Sequence, residues 1–362
     1  MKSILIMISA LGGGGAERIA VRLANYLSEK YTVYILPYSK CDNPYPVSKN
    51  VRILDYARYD LRNKKKPPQQ FLRDSISAIY IFFRLSWFRI KNKPDVTLSL
   101  LLVPNSFNIF APGKTRKILS ERNNPKLKNK LKYQISKLVY RFGDTIVFQS
   151  QEVRSQFPES VQKKGVIIPN PVEVDEQACD TPRHKIVTAG RLEKQKNHEL
   201  LIRAFIRFYQ THPEYELDIY GDGKLRDDLQ KIIDEHGMFS QIHLIPNTQN
   251  IHKEIQDAEF YILCSNYEGL PNSLLEAMMM GIPCISTLYP GVQEILEHKK
   301  SAYLVPVCDI QALSEAMAEM ADQEDLRRKI AENSRQTAMN YLPEIVMPLW
   351  EKVLMGGVDD HA

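Results

Sequence analysis

Residues 266–283, NYEGLPNSLLEAMMMGIP, concentrate more chemistry than any other stretch of the chain. Two carboxylates, Glu268 and Glu276, stand eight residues apart. On a continuous helix, eight steps would turn them about 80° from each other. Pro271 suits the first turn of a helix, which leaves Glu268 in the preceding loop, so the pair can flank one ligand from two ends. The amides that open such a helix have no partner within it, and together with the helix dipole they suit a phosphate or a framework of hydroxyls. The plainer alternative is a loop acid followed by an exposed helix acid.

A second stretch, TAGRLEKQKN (residues 188–197), runs from a strand through Gly190 to Arg191 and then to Lys196, where a helix is expected to start. Two cations beside a helix N-terminus can neutralise a departing diphosphate without a divalent metal; as surface residues they would simply be solvated. A third, ISALGGGGAERIA (residues 8–20), places four glycines between a strand and a helix. Glycines such as Gly14 and Gly15 let backbone approach a ligand closely. A nicotinamide site would want an acid closing the second strand, but Thr32–Leu36 runs into Pro37, Tyr38 and Ser39, which counts against NAD. In KILSERNNP (residues 117–125), Arg122 follows a strand; it either meets phosphate or acceptor charge or belongs to a merely polar loop. The glycines of YGDGKLRDDL and YPGVQEIL read as structural turns.

Short apolar runs alternate with helical periodicity from end to end, the mark of parallel α/β sheets. Strands are expected near Ser3–Ile8, Thr32–Leu36, Val51–Leu54, Val96–Leu100, Lys117–Ser120 and Thr145–Phe148. A second set falls near Lys185–Thr188, Leu217–Tyr220, Ile242–Ile245, Phe260–Leu263, Pro283–Ser286 and Ala302–Val305. With 362 residues, two cores are the default. The aperiodic, Pro-rich and acidic stretch 167–185 reads as a linker, placing the boundary near Pro169–Pro171. The expected domains are therefore 1–170, joined by a returning C-terminal helix at 342–362, and 171–341.

The run E-G-L-P-N-S-L-L-E-A-M-x-x-G-x-P resembles the E-x7-E signature of glycosyltransferase family 4, and G-R-L-x-x-x-K, ending at Lys196, is similar to that family's diphosphate segment. The resemblance implies a GT-B fold, two doubly wound Rossmann-like domains facing across a cleft, and transfer with retention of anomeric configuration. It implies that Glu276 holds the nucleotide ribose, that Glu268 lies by the transferred sugar, and that Arg191 and Lys196 bind the donor diphosphate. Backbone of Gly269, Leu270, Pro271 and Asn272 would meet sugar and phosphate, backbone near Asn247 the base, and Gly14 and Gly15 the donor. Relatives carry a histidine near the position where this chain has Arg122. The expected donor is a UDP-linked hexose or N-acetylhexosamine, the acceptor a lipid-linked saccharide, with no metal and no other cofactor. A nucleotide-sugar epimerase, a phosphorylase or a non-catalytic sugar-nucleotide binder are the rival readings.

Charge adds a separate expectation. Residues 1–170 hold 30 Lys and Arg against 11 Asp and Glu, a net +19, whereas the remainder is net −14. Such a split points the first half toward a polyanion. In residues 58–93, ten cations face two acids, and Leu72, Ile76, Ile79, Phe83, Trp87 and Ile90 recur at helical spacing. A basic, aromatic amphipathic helix suits an anionic bilayer surface; the alternative is a helix that turns this stripe to the core. Lys126, Lys128, Lys130, Lys132 and Lys137 strengthen the basic character. No helix-turn-helix, RNA-binding aromatic signature or zinc spacing supports nucleic acid. No apolar run is long enough to span a membrane, the first strand lacks a signal-peptide cleavage site, and five scattered cysteines read as reduced thiols. The expectation is a cytoplasmic protein held peripherally at the inner face of the plasma membrane.

Overall fold

The structure is a computed structural model that describes residues 1–11, 15–40, 45–57, 68–122, 130–179 and 181–357, with side chains of 68–73 left aside. It separates into two compact units, Met1–Asn170 with Glu344–Ala362, and Pro171–Pro343.

In the first unit, β1 (Ser3–Ile8), β2 (Thr32–Pro37), β3 (Val51–Ile53), β4 (Val96–Leu100), β5 (Arg116–Ser120), β6 (Thr145–Phe148) and β7 (Gly165–Ile167) form a seven-stranded parallel sheet. Its order is β3-β2-β1-β4-β5-β6-β7. β1 is apolar at nearly every position because helices cover both faces of such a sheet. Ile4, Ile6 and Ile8 pack beneath α1 (Gly15–Leu27) and the C-terminal helix. Leu5 and Met7, on the opposite face, meet Leu85 and Phe88 of α2 (Pro68–Asn92). α3 (Leu102–Phe110) and α4 (Lys130–Tyr140) continue that layer, followed by the short α5 (Gln151–Ser155) and α6 (Glu159–Gln162). β7 was not expected from sequence: three residues beginning with glycine are too short to show a period.

The second unit is a six-stranded parallel sheet in the order β10-β9-β8-β11-β12-β13. Its strands are β8 (Lys185–Ala189), β9 (Glu216–Tyr220), β10 (Ile242–Ile245), β11 (Phe260–Leu263), β12 (Cys284–Thr287) and β13 (Tyr303–Val305). Helices α7 (His198–Tyr209), α8 (Arg226–Glu235), α9 (Ile251–Ile255), α10 (Asn272–Met280), α11 (Ile310–Asp322) and α12 (Glu324–Met339) surround it. Ile186, Phe260 and Ile262 face α7 and α11, while Val187, Tyr261 and Leu263 face α10. The order reverses between β8 and β11, and ligands of doubly wound sheets bind where the strand order reverses.

The last helix, α13 (Pro343–Met355), packs with the first unit. Trp350 is fully buried, and Glu351 accepts hydrogen bonds from Tyr26 and Tyr31, each at 2.9 Å, and from Lys30 at 3.0 Å.

α2 carries two apolar faces. Ile81, Leu85 and Phe88 are buried, whereas Ile76, Ile79, Phe83, Trp87 and Ile90 are exposed. The alternative in which the longer stripe packs into the core is thereby corrected: the sheet takes the narrower stripe on the opposite side. Leu72 of that stripe, together with Lys126 and Lys128, lies outside the residues whose side chains are described.

Candidate active site

At the carboxyl ends of β8 and β11 lies a concavity of about 510 Å³ lined by Arg191, Lys196, Asn247, Glu268, Leu270, Asn272 and Glu276, among others. Seven of the residues singled out from sequence thus share one pocket within the second unit.

Two loops build its floor. Gly190 follows β8, and its amide donates to the Tyr220 carbonyl at 2.9 Å. Gly221 adopts φ +150°, and a Cβ there would lie 2.0 Å from the Gly190 carbonyl oxygen. That approach fixes glycine at the turn. The loop then meets the one after β11. The Asn266 amide donates to the Gln195 carbonyl at 2.8 Å, Asn266 Nδ2 to the Lys194 carbonyl at 2.9 Å, and Asn197 Nδ2 to Asn266 Oδ1 at 3.1 Å. Lys196 lies two residues before α7, not within its first turn, because Asn197 takes the left-handed conformation at φ 50° and delays the helix to His198. Pro271 likewise sits just before α10, which opens at Asn272. Gly269 precedes it, half-buried in the same loop.

Glu268 is only 8% exposed. Its Oε1 accepts a 2.6 Å hydrogen bond from Ser265 Oγ and lies 2.8 Å from Lys196 Nζ, while Gln195 Nε2 donates to Oε2 at 3.2 Å. Ser265 is positioned in turn by Thr287, whose Oγ1 donates to the Ser265 carbonyl at 2.7 Å. A carboxylate with this many donors is held in one orientation. The charge of Lys196 reaches its neighbours too. Burial pushes the His198 imidazole down to about 3, with Lys196 adding to the effect, so His198 is a neutral packing group. Burial pushes the Cys264 thiol up to about 12, with Lys196 opposing.

Glu276 stands in the second turn of α10 with its Oε2 3.7 Å from Nε2 of His252, which lies on α9. Asp222 Oδ2 accepts from the Asn247 amide at 3.0 Å and so fixes the turn after β10. Arg191 is largely exposed, with Nη1 3.2 Å from Glu193 Oε2. Arg191 and Lys196 thus bring two positive charges to the same pocket that Glu268 and Glu276 line, with Lys196 paired directly to Glu268. Among the described residues, no group of three or more His, Cys, Asp or Glu side chains is arranged to hold a metal ion.

Arg122 is buried, and Nη1 donates to the Ile168 carbonyl at 3.2 Å and to Asn170 Oδ1 at 3.0 Å. Its guanidinium lies 4.9 Å from the centre of the Trp350 ring, and burial pushes it down to about 9. It packs where α13 joins the first unit. Gly14 lies outside the described residues, and Gly15 is an exposed residue opening α1.

Ser265, Gln195, His252 and Asp222 were not singled out from sequence. Gln195 is inside the basic stretch, but a neutral amide gives no charge signal. Ser265 becomes informative only once its loop folds back on Glu268.

Residues 171–337 match the family model described as "Glycosyl transferases group 1". The chain is similar to the GalNAc-alpha-(1->4)-GalNAc-alpha-(1->3)-diNAcBac-PP-undecaprenol alpha-1,4-N-acetyl-D-galactosaminyltransferase of Campylobacter jejuni, 26% identical over 98% of each chain. A second Campylobacter jejuni relative, N-acetylgalactosamine-N,N'-diacetylbacillosaminyl-diphospho-undecaprenol 4-alpha-N-acetylgalactosaminyltransferase, is 25% identical over 93% of this chain and 95% of its own. Among solved structures, Anabaena HepE in complex with UDP and glucose gives a TM-score of 0.78 at 14% identity, covering 98% of this chain and 100% of that one. Sucrose-phosphate synthase from Thermosynechococcus elongatus gives 0.79 at 14% identity, covering 98% of both. The fold class is that of GT-B glycosyltransferases.

Proposed function

We propose that this chain is a retaining, metal-independent glycosyltransferase of family 4, which moves a hexose or N-acetylhexosamine from a UDP-sugar to a lipid-linked saccharide in surface-glycan assembly. The observation that carries this reading is the single pocket at the ends of β8 and β11 into which Arg191, Lys196, Glu268 and Glu276 all open. The activities for which the Campylobacter relatives are named support the class of acceptor, and the UDP complex of HepE supports the nucleotide.

In this reading, Glu276 accepts hydrogen bonds from the ribose hydroxyls, with His252 behind it, and the turn at Asn247 receives the base through backbone groups. Arg191 and Lys196 lie along the diphosphate. The bond from the anomeric carbon to the phosphate oxygen breaks while the acceptor hydroxyl forms its bond on the same face. The hydroxyl proton passes to the departing phosphate oxygen. Negative charge grows on the diphosphate in that step, and the two cations stabilise it where it develops. Glu268, fixed by Ser265, Gln195 and Lys196, orients the sugar and keeps Lys196 aimed.

A hydrolysis and transfer screen across UDP-, GDP- and ADP-sugars, with and without chelator, tests the proposal. UDP-sugar turnover that survives chelation and rises with a polyprenyl-diphosphate saccharide is expected. Glu268→Ala should keep UDP binding and lose transfer; unchanged turnover sinks the role given to Glu268. Interconversion of a sugar nucleotide without acceptor assigns the pocket to an epimerase instead.

A further inference from the structure

The outward side of the first unit's α2, α3 and α4 carries apolar side chains that no described residue covers. On α2, Ile76, Phe83, Trp87 and Ile90 are 59%, 66%, 49% and 58% exposed, with Ile79 among them. At 100° per residue, these five fall within an arc of about 80°. On α4, Leu131, Ile135 and Leu138 are exposed within about 60°, and Phe142 follows just past its end. α3 lies between these helices. Its Phe107 ring packs 6.3 Å from Phe82 of α2, and Asn105 Nδ2 donates to Tyr140 Oη of α4 at 3.0 Å. Val103 and Phe110, seven residues apart on α3, are exposed as well. Three adjacent helices of one layer thus turn apolar stripes outward, and a patch of this kind marks an interaction surface.

Its charge selects the partner. Residues 74–92 and 130–142 contain Arg84, Lys91, Lys130, Lys132, Lys137 and Arg141, besides the buried Arg89, against one acid, Asp74. The Trp87 ring lies within 5.4 Å of the Arg84 guanidinium and 4.7 Å of Lys91 Nζ, an arrangement of amphipathic ring and cations suited to the boundary between headgroups and acyl chains. Two copies of the chain meeting through this face would set cations against cations, which opposes association. An anionic lipid surface meets both the charge and the apolar stripes. No described helix is long and apolar enough to cross a bilayer, so insertion would stop at the interface.

We infer that the outer faces of α2, α3 and α4 together form a docking surface for an anionic phospholipid bilayer, with Phe83, Trp87 and Ile135 entering the interface and the cations binding lipid phosphates. The inference stands apart from the transferase reading: it rests on helices of the first unit, whereas the pocket belongs to the second, and lipid partition can be measured without turnover.

The chain contains two tryptophans, Trp87 exposed and Trp350 buried, so a change in emission reports on Trp87. The full chain is mixed with phosphatidylcholine vesicles, with or without phosphatidylglycerol, while emission, co-sedimentation and UDP binding are followed. A blue shift and at least about tenfold stronger partition onto the anionic vesicles are expected, weakening steeply as salt rises. Phe83→Glu and Ile135→Glu should each reduce partition by about tenfold while leaving UDP binding unchanged. Equal partition onto both vesicle types, or no partition by a chain that binds UDP, overturns the inference. An unaffected Ile135→Glu variant overturns the three-helix surface, and a lipid-free oligomer abolished by Phe83→Glu assigns the face to a second copy.

Discussion

Replacing Lys196 by Met and Glu268 by Gln, singly and together, probes whether these two groups act as one device. Nζ lies 2.8 Å from Oε1, and both side chains are mostly buried. Losing Lys196 removes one of two cations facing the departing diphosphate. A preorganised donor of this kind is worth about 3 kcal/mol, or about 150-fold in kcat/KM. Its loss also leaves the Glu268 carboxylate with Ser265 and Gln195 alone, an uncompensated buried charge that lowers the melting temperature. Glu268→Gln removes the anchor that aims Lys196 and should cost a similar factor. Independent effects would multiply to a loss of about 3 × 10⁴. Contacting charged residues are usually coupled, and a coupling near 2 kcal/mol brings the double variant to about 10³. Glu268→Gln on the Lys196→Met background should also recover part of the lost melting temperature. The assay is acceptor-dependent UDP release, with UDP affinity measured in parallel. Strict additivity of the two losses, within about 0.5 kcal/mol, refutes the coupled device.

Three further outcomes follow from the geometry. Ser265→Ala removes the 2.6 Å hydrogen bond to Glu268 and should lower kcat about tenfold with little change in UDP affinity, since a bond to a charged group is worth about 1.5–3 kcal/mol; an equal loss of UDP affinity would show that Ser265 acts elsewhere. Gly221→Ala forces a Cβ to within 2.0 Å of the Gly190 carbonyl at a positive φ and should destabilise the protein by about 2 kcal/mol or more in thermal denaturation. Arg122→Met should lower stability, because Asn170 and the Ile168 carbonyl lose their donor; turnover per folded molecule should be retained, and a selective loss of kcat would return Arg122 to the reaction.

Much of the fold was legible because buried parallel strands need apolar side chains on both faces. SILIMI, VTLSL and TIVF therefore stand out as strands, and their helical partners show a different period. The pocket was legible in part as well: the Glu268 to Glu276 spacing and the Arg191 to Lys196 stretch single out four residues that the fold brings to one concavity. What the sequence could not rank was which partner each side chain chooses. Arg122 looked available in a polar loop, yet it is folded against Trp350, which lies on a helix more than two hundred residues later in the chain. α2 offered two apolar stripes, and only its position over Leu5 and Met7 shows which one the sheet takes. Gln195 and Glu268, 73 residues apart, meet because the strand order reverses and makes β8 and β11 neighbours. Side-chain type and period are local properties that a sequence carries by itself; pairing across strands depends on the order in which the sheet assembles them, and that is settled in three dimensions.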